Sequence, residues 1–321
     1  MREVPEVNEK KRILVVVDPT SASRPEALER AVWLASRLAA RLELFICDYV
    51  PQLAAARGAR AAALGDARTA VLERHRLRLA DLAKTVAAAG LEVDVDVRWD
   101  RPLHDGIVRK AVESGADIVV KETHYHSALK RGIFSNTDWS LIRDCPTTLW
   151  LVKPRVAAAK PCFVAAVDPL HERDKPAALD HRILTVAAEL CAALGGELHV
   201  FHAFDITAAL AVSTDSMMMP IAIPIRELTD SIRAEHTDAV HALTDAHQVP
   251  RERTHVHQGG TRELLVALTD RLRADFVVMG AVSRSGLKGL FLGNTAEDVL
   301  DRLHCDLLIV KPAGFEAPLP R

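Results

Sequence analysis

A glycine-rich segment near the end of the chain has residue types that suit phosphate binding. Residues 280–300 read GAVSRSGLKGLFLGNTAEDVL. A glycine at a strand end lets the main chain approach a ligand, and a glycine that opens a helix leaves N–H groups free at its positive end. Gly280 and Gly293 are placed for these two roles. Further donors and positive charge come from Asn294, Thr295, Arg284 and Lys288. Two plainer interpretations stay open: Asn294 equally suits a helix N-cap, and glycines after strands often serve turn geometry alone.

Signatures of strong catalysis are absent from the sequence. It contains no G-x-S-x-G elbow, no GK[ST] phosphate loop and no carboxylate pair with a clear geometry. If ATP binds, slow hydrolysis is the most that we expect, with Arg284 or Lys288 steadying phosphate charge. We therefore do not predict an efficient enzyme.

Several histidines could in principle contribute to a metal or acid–base site. His124 with His126, and His255 with His257, have a spacing that can begin a metal site, but no third ligand is identifiable. Ordinary loop or strand histidines are the favoured interpretation of both pairs. His202 and Asp168 are expected at strand ends, where a hydrogen-bonded structural histidine is favoured over acid–base machinery.

Residues 214–225, TDSMMMPIAIPI, form an apolar segment with three adjacent methionines, Met217, Met218 and Met219. Methionine gives a soft, adaptable apolar surface, and the prolines argue against a regular helix. Packing in a core or interface is the favoured interpretation. The alternative is a lid over a pocket for a lipid-like or acyl ligand.

The segment from Asp117 to Thr137 is repeated later in the chain. It aligns without a gap with Asp275 to Thr295, at an offset of 158 residues. The apolar run ILVVVDP near the start has a counterpart in FVAAVDP from Phe163. The boundary should lie in residues 154–161, PRVAAAKP, because this segment is short and bracketed by prolines. We predict two domains, residues 1–155 and 156–321.

Each copy alternates short apolar runs with long helical stretches, which is typical of a parallel sheet built from strand–helix–strand units. Strands are predicted near 12–18, 42–48, 92–98, 117–121 and 147–153, and again near 162–168, 196–203, 252–257, 275–279 and 306–311. Helices are predicted at 25–40, 64–89, 103–115 and 136–144. The expected fold is α/β, with two tandem doubly wound five-stranded parallel sheets. Such sheets bind ligands where the strand order reverses, beyond the first and fourth strands.

The glycine spacing resembles the nucleotide motif G-x2-G-x9-G-[S/T] of the universal stress protein family. Gly280 matches the first glycine and Gly293 the third, while Ser283 and Asn294 depart from the second glycine and the Ser or Thr. The strings KETHYHSALKRGIF, FLGNTAEDV and CDLLIVKP resemble the tandem, two-domain branch of that family. The resemblance implies an adenine nucleotide alpha hydrolase-like fold and a cytoplasmic role in stress response. It also implies ATP or a related adenine nucleotide as ligand, with Asp168, followed by Pro169, on the adenine side.

The first copy differs at the same positions. Glu122 aligns with Gly280, Tyr125 with Ser283 and Ser135 with Gly293. A carboxylate repels an anion, and side chains replace the hydrogens that allow close approach. We expect no nucleotide in the first copy, whose role would be to pair with the second; formation of a homodimer stays open. A non-catalytic interaction scaffold with two vestigial sites is the alternative.

The composition excludes several classes of protein. The 321 residues carry a formal net charge of -2, which argues against a nucleic-acid binder. No apolar run is long enough for a membrane span, and the charged first twelve residues do not resemble a signal peptide. The five cysteines are scattered and form no CxxC pair, as suits a reducing compartment. We expect a cytoplasmic protein.

Overall fold

The computed structural model describes residues 10–21, 25–54, 60–123, 135–156, 158–170, 178–206, 225–281, 300 and 302–319. They form two compact units: the first includes the chain up to Pro154 together with residues 316–319, and the second runs from Arg155 to Phe315. None of the helices within these ranges has the length and apolarity needed to cross a membrane.

The first unit has a five-stranded parallel sheet flanked by helices. Its elements, in chain order, are β1 (Arg12–Val16), α1 (Glu26–Leu38), β2 (Arg41–Asp48), α2 (Pro51–Ala54), α3 (Arg60–Ala88), β3 (Val93–Trp99), α4 (Leu103–Ser114), β4 (Ile118–Glu122), α5 (Asn136–Asp144) and β5 (Thr148–Val152). The strand order is β3-β2-β1-β4-β5, and all four pairings are parallel. The order reverses between β1 and β4, as predicted.

The second unit repeats this architecture. Its elements are β6 (Cys162–Ala166), α6 (Ala178–Ala193), β7 (Glu197–Phe204), α7 (Ile225–Ala246), a single 3₁₀ turn (Arg251–Arg253), β8 (Thr254–Gln258), α8 (Thr261–Leu272), β9 (Phe276–Gly280) and β10 (Asp306–Val310). The strand order is β8-β7-β6-β9-β10, again with parallel pairings. The predicted fold class is therefore confirmed in both halves of the chain.

The strands away from the edges formed by β3 and β8 are largely apolar because both of their faces are buried. Every residue of β5, including Trp150, is buried, and so is every residue of β10. Helix α1 contributes an apolar stripe that includes Leu28 and Leu34, both fully buried. Burial on two faces leaves no reason for alternation, which explains the continuous runs in the sequence.

Candidate functional site

Three of the predicted site residues lie at or just beyond the carboxyl ends of two neighbouring strands. β6 pairs with β9, and Ala166 is opposite Met279 in their register. Gly280 is the last residue of β9, and Asp168 with Pro169 follows β6. Gly280, Asp168 and Pro169 therefore lie at the same edge of the sheet, at the point where the strand order reverses. The other predicted site residues lie outside the described ranges and remain predictions: Ser283, Arg284, Lys288, Gly293, Asn294 and Thr295.

The main chain of Asp168 is hydrogen-bonded, whereas one of its side-chain oxygens has no hydrogen-bond partner among the described residues. Its N–H donates to Oδ1 of Asp180 on α6 over 3.0 Å. Its own Oδ1 is buried and accepts no hydrogen bond within the described part of the chain. A buried acceptor without a donor costs about 1–3 kcal/mol. An N–H or O–H donor from a ligand would remove that cost.

The equivalent carboxylate of the first unit is already satisfied. Oδ1 of Asp18 accepts hydrogen bonds from N–H of Thr20 at 2.6 Å and from Oγ1 of Thr20 at 2.5 Å. The first unit reads Asp-Pro-Thr at this point, whereas the second reads Asp-Pro-Leu. Leu170 has no hydroxyl to donate, so the two carboxylates have different surroundings. The sequence contained this signal in the Thr20 and Leu170 pair, but the alignment of glycines did not draw attention to it.

Gly280 also has a packing role that sequence reasoning missed. A Cβ at this position would lie 2.7 Å from Cδ2 of Leu179 and 3.2 Å from Cδ1 of Ile183, both on α6. Helix α6 can lie this close to β9 because residue 280 has no side chain. Close approach of a ligand to Gly280 remains a prediction.

His202 is a structural histidine, as favoured from the sequence. It is 1% exposed and donates Nδ1–H to the main-chain oxygen of Val167 over 3.0 Å. Its Nε2 lies 2.8 Å from Nδ1 of His236 on α7, which is also buried. When both rings are neutral, His236 donates to His202. No sequence signal indicated His236, because its partner lies 34 residues earlier.

His255 and His257 have different neighbours rather than a common one. Nε2 of His255 lies 3.0 Å from Nδ1 of His199 on β7, whereas the ring of His257 lies against Phe201. Burial, with a smaller contribution from His199, lowers the pKa of His255 to about 4. Within the described ranges, no group of three His, Cys, Asp or Glu could hold a metal ion. His124 and His126 lie outside those ranges, as do Met217, Met218 and Met219.

In the first unit, the start of α5 is occupied by the chain itself. Ser135 caps the helix: its Oγ accepts from N–H of Asp138 at 3.2 Å. In return, Oδ2 of Asp138 accepts from N–H of Ser135 at 2.7 Å. Oδ1 of Asp138 lies 2.7 Å from Nζ of Lys121, the residue before Glu122 in β4. Tyr125, which was expected beside these residues, lies outside the described ranges.

Comparison with known proteins agrees with this two-unit architecture. The model of the "Universal stress protein family" matches residues 10–153 and 174–311, which include most of both units. The chain belongs to the universal stress protein family. Universal stress proteins act in stress response, and the tandem arrangement predicted from the repeat is confirmed.

Individual universal stress proteins resemble the chain over almost its full length. Universal stress protein E of Escherichia coli strain K12 is 31% identical over 319 residues, covering 96% of both chains. A crystal structure of a putative universal stress protein from Pseudomonas aeruginosa UCBPP-PA14 has a TM-score of 0.70 at 26% identity, covering 95% of this chain and 94% of that one. A functionally unknown protein from Pseudomonas aeruginosa PAO1 has a TM-score of 0.71 at 25% identity, covering 95% and 93%.

Proposed function

We propose that this universal stress protein binds a small adenine nucleotide, ATP or a close relative, at the carboxyl ends of β6 and β9. The observation that supports this proposal is the buried Oδ1 of Asp168, which accepts no hydrogen bond from any residue that the structure describes. The exocyclic amino group of adenine is an N–H donor that would satisfy this oxygen. Hydrogen bonds to a charged group contribute about 1.5–3 kcal/mol, which is enough to orient the base.

The phosphates would lie along the loop that follows β9. Its predicted contacts are the main chain near Gly293, the side chains of Ser283, Asn294 and Thr295, and the charges of Arg284 and Lys288. Main-chain N–H groups at a helix start and nearby cations are the usual partners of phosphate oxygens. Pro169 would limit the freedom of the chain that follows Asp168.

The first unit lacks these features, which supports assigning the ligand to the second unit alone. Oδ1 of Asp18 is taken by Thr20, and the first turn of α5 is taken by Ser135 and Asp138. Glu122 ends β4 where Gly280 ends β9. A carboxylate at this position would face the phosphate path and repel it.

Calorimetric titration of ligand-free protein with ATP tests the proposal. Asp168→Ala should weaken ATP binding by about tenfold to a hundredfold, because it removes one charge-assisted hydrogen bond. The matched control is Asp18→Ala, which removes the equivalent carboxylate of the first unit and should leave the affinity unchanged. Equal ATP affinities for wild type and Asp168→Ala would contradict the assignment, and so would a loss in Asp18→Ala.

A further inference from the structure

The first unit contains a buried ion pair at the end of β4. Nζ of Lys121 lies 2.7 Å from Oδ1 of Asp138, and it donates a hydrogen bond to the main-chain oxygen of Glu122 over 2.9 Å. Lys121 is 9% exposed and Asp138 is fully buried. A buried charge is tolerated only when a countercharge and hydrogen bonds surround it. Lys121 therefore requires an anion at the position that Asp138 fills.

The other oxygen of Asp138 is bound by the start of a helix. Oδ2 accepts hydrogen bonds from N–H of Ser135 at 2.7 Å and from Oγ of Ser135 at 2.8 Å. The carboxylate also lies in the first turn of α5, where the helix dipole favours negative charge. An ammonium, a hydroxyl and a main-chain N–H at a helix start are the partners that proteins offer to a bound phosphate or sulfate.

The two charges of this pair are both missing from the repeat. With the offset of 158 residues, Lys121 aligns with Met279, and Asp138 aligns with Ala296 one residue beyond the ungapped segment. The second unit thus has neither the cation nor the anion at these positions. The lysine and the aspartate occur together in the first unit and are both absent from the second. This is what we expect if each residue serves as the counterion of the other.

We propose that Asp138 is the resident anion of the first unit, filling from within the chain an anion-binding site made by Lys121, Ser135 and the start of α5. Occupation of the site by Asp138 would exclude phosphate from the first unit. Repulsion by Glu122 would then be a second cause and not the sole one. The assignment concerns the first unit and does not depend on nucleotide binding by the second.

The test is to remove the internal anion and offer an external one. In the full chain, Asp138→Ala leaves Lys121 buried without a countercharge, so the midpoint of thermal unfolding of the first unit should fall. Inorganic phosphate should then raise that midpoint saturably, whereas KCl at the same ionic strength should not. Wild type provides the baseline for phosphate bound elsewhere in the chain.

The matched control is Lys121→Met/Asp138→Ala, which gives the first unit the residue types of the second. It lacks the cation that needs a partner, so its phosphate affinity, measured by calorimetry, should be at least about tenfold weaker than that of Asp138→Ala. The proposal is overturned if Asp138→Ala gains no more from phosphate than wild type, or if the double variant gains as much.

Asp138→Asn provides a second single variant, because it keeps the shape of the side chain while removing its charge. If neither single variant folds even in the presence of phosphate, an external anion does not replace the carboxylate and the proposal is also wrong. ATP binding that depends on Asp168 should be unchanged in all three variants, so that failure here is distinguishable from failure of the proposed function.

Discussion

Asp18 and Asp168 follow the first strands of their units, and one nearby residue distinguishes their surroundings. Thr20 donates two hydrogen bonds to Asp18, whereas Leu170 offers no side-chain donor to Asp168. Both aspartates precede a proline in a closely similar sequence. Thr20 therefore supplies the first carboxylate with donors that Leu170 cannot supply to the second.

The two reasons for a glycine at position 280 can be separated by measuring stability. Gly280→Ala places a Cβ 2.7 Å from Cδ2 of Leu179 and 3.1 Å from its Cγ. We expect the free energy of unfolding to fall by about 1–3 kcal/mol, as is usual when a packed site is overfilled. Urea denaturation without ligand measures it.

Gly65→Ala is the control for this change. Gly65 lies on an exposed part of α3, and a Cβ there would have nothing within 4 Å. Alanine should stabilise this helix by about 0.5–1 kcal/mol. If Gly280→Ala is as stable as wild type, α6 does not require the glycine, and close approach of a ligand becomes the better explanation.

At the level of elements, a histidine pair joins two neighbouring strands of the second unit. His199 on β7 and His255 on β8 lie with their rings stacked, at a centroid distance of 5.3 Å. Burial is the main cause that lowers the pKa of both imidazoles. These strands therefore pack best while both rings are neutral.

The second unit should consequently lose stability in acid. The pKa of His255 is about 4 in the folded protein and about 6.5 in an unfolded chain, so the unfolded state takes up its proton first as the pH falls. The stability that neutral His255 contributes is complete above about pH 6.5 and is lost as the pH falls towards about 4.

Urea denaturation across this pH range measures the loss. His255→Leu should make the midpoint of the second unit depend less on pH. His304→Gln, at an exposed position, should leave the dependence as it is in wild type. A wild-type pH dependence in His255→Leu would show that other groups cause the loss.

The helices and strands could be predicted from the sequence better than the side-chain pairs that connect them. The apolar runs around Leu149 and Leu308 identified β5 and β10, because strands buried on both faces need no alternation. The helix α2 and the 3₁₀ turn at Arg251–Arg253 were not predicted, since elements of three or four residues have no period to detect. The pair of Lys121 and Asp138 was also missed, although comparison with Met279 and Ala296 could have found it.

For the whole molecule, the internal repeat made the fold predictable. One alignment supplied two sheets with the same strand order and placed Asp168 and Gly280 at one edge. The repeat could not predict which atoms donate hydrogen bonds to the carboxylate in each unit. Hydrogen bonds such as that from Thr20 to Asp18 depend on side chains that the two units do not share. The fold thus follows from what the two halves share, and the candidate site from what they do not.

Hydrogen exchange on the full chain should reveal this asymmetry. Adding ATP should slow amide exchange at the ends of β6 and β9, near Val167 and Gly280, because ligand binding suppresses local opening. The ends of β1 and β4 should exchange at their unliganded rate. Equal protection in both units would contradict a ligand site confined to the second.

The ion pair between Asp138 and Lys121 also affects how many ligand molecules one chain would bind as the ligand concentration rises. When one of two equivalent crevices permanently contains an acidic group of the same polypeptide, a titration saturates at one equivalent per chain. Its occupancy then follows a simple hyperbola, without the sigmoidal steepness that coupled sites produce. If the second unit binds one nucleotide as proposed, the response of a single chain to ligand concentration would be graded rather than all-or-none.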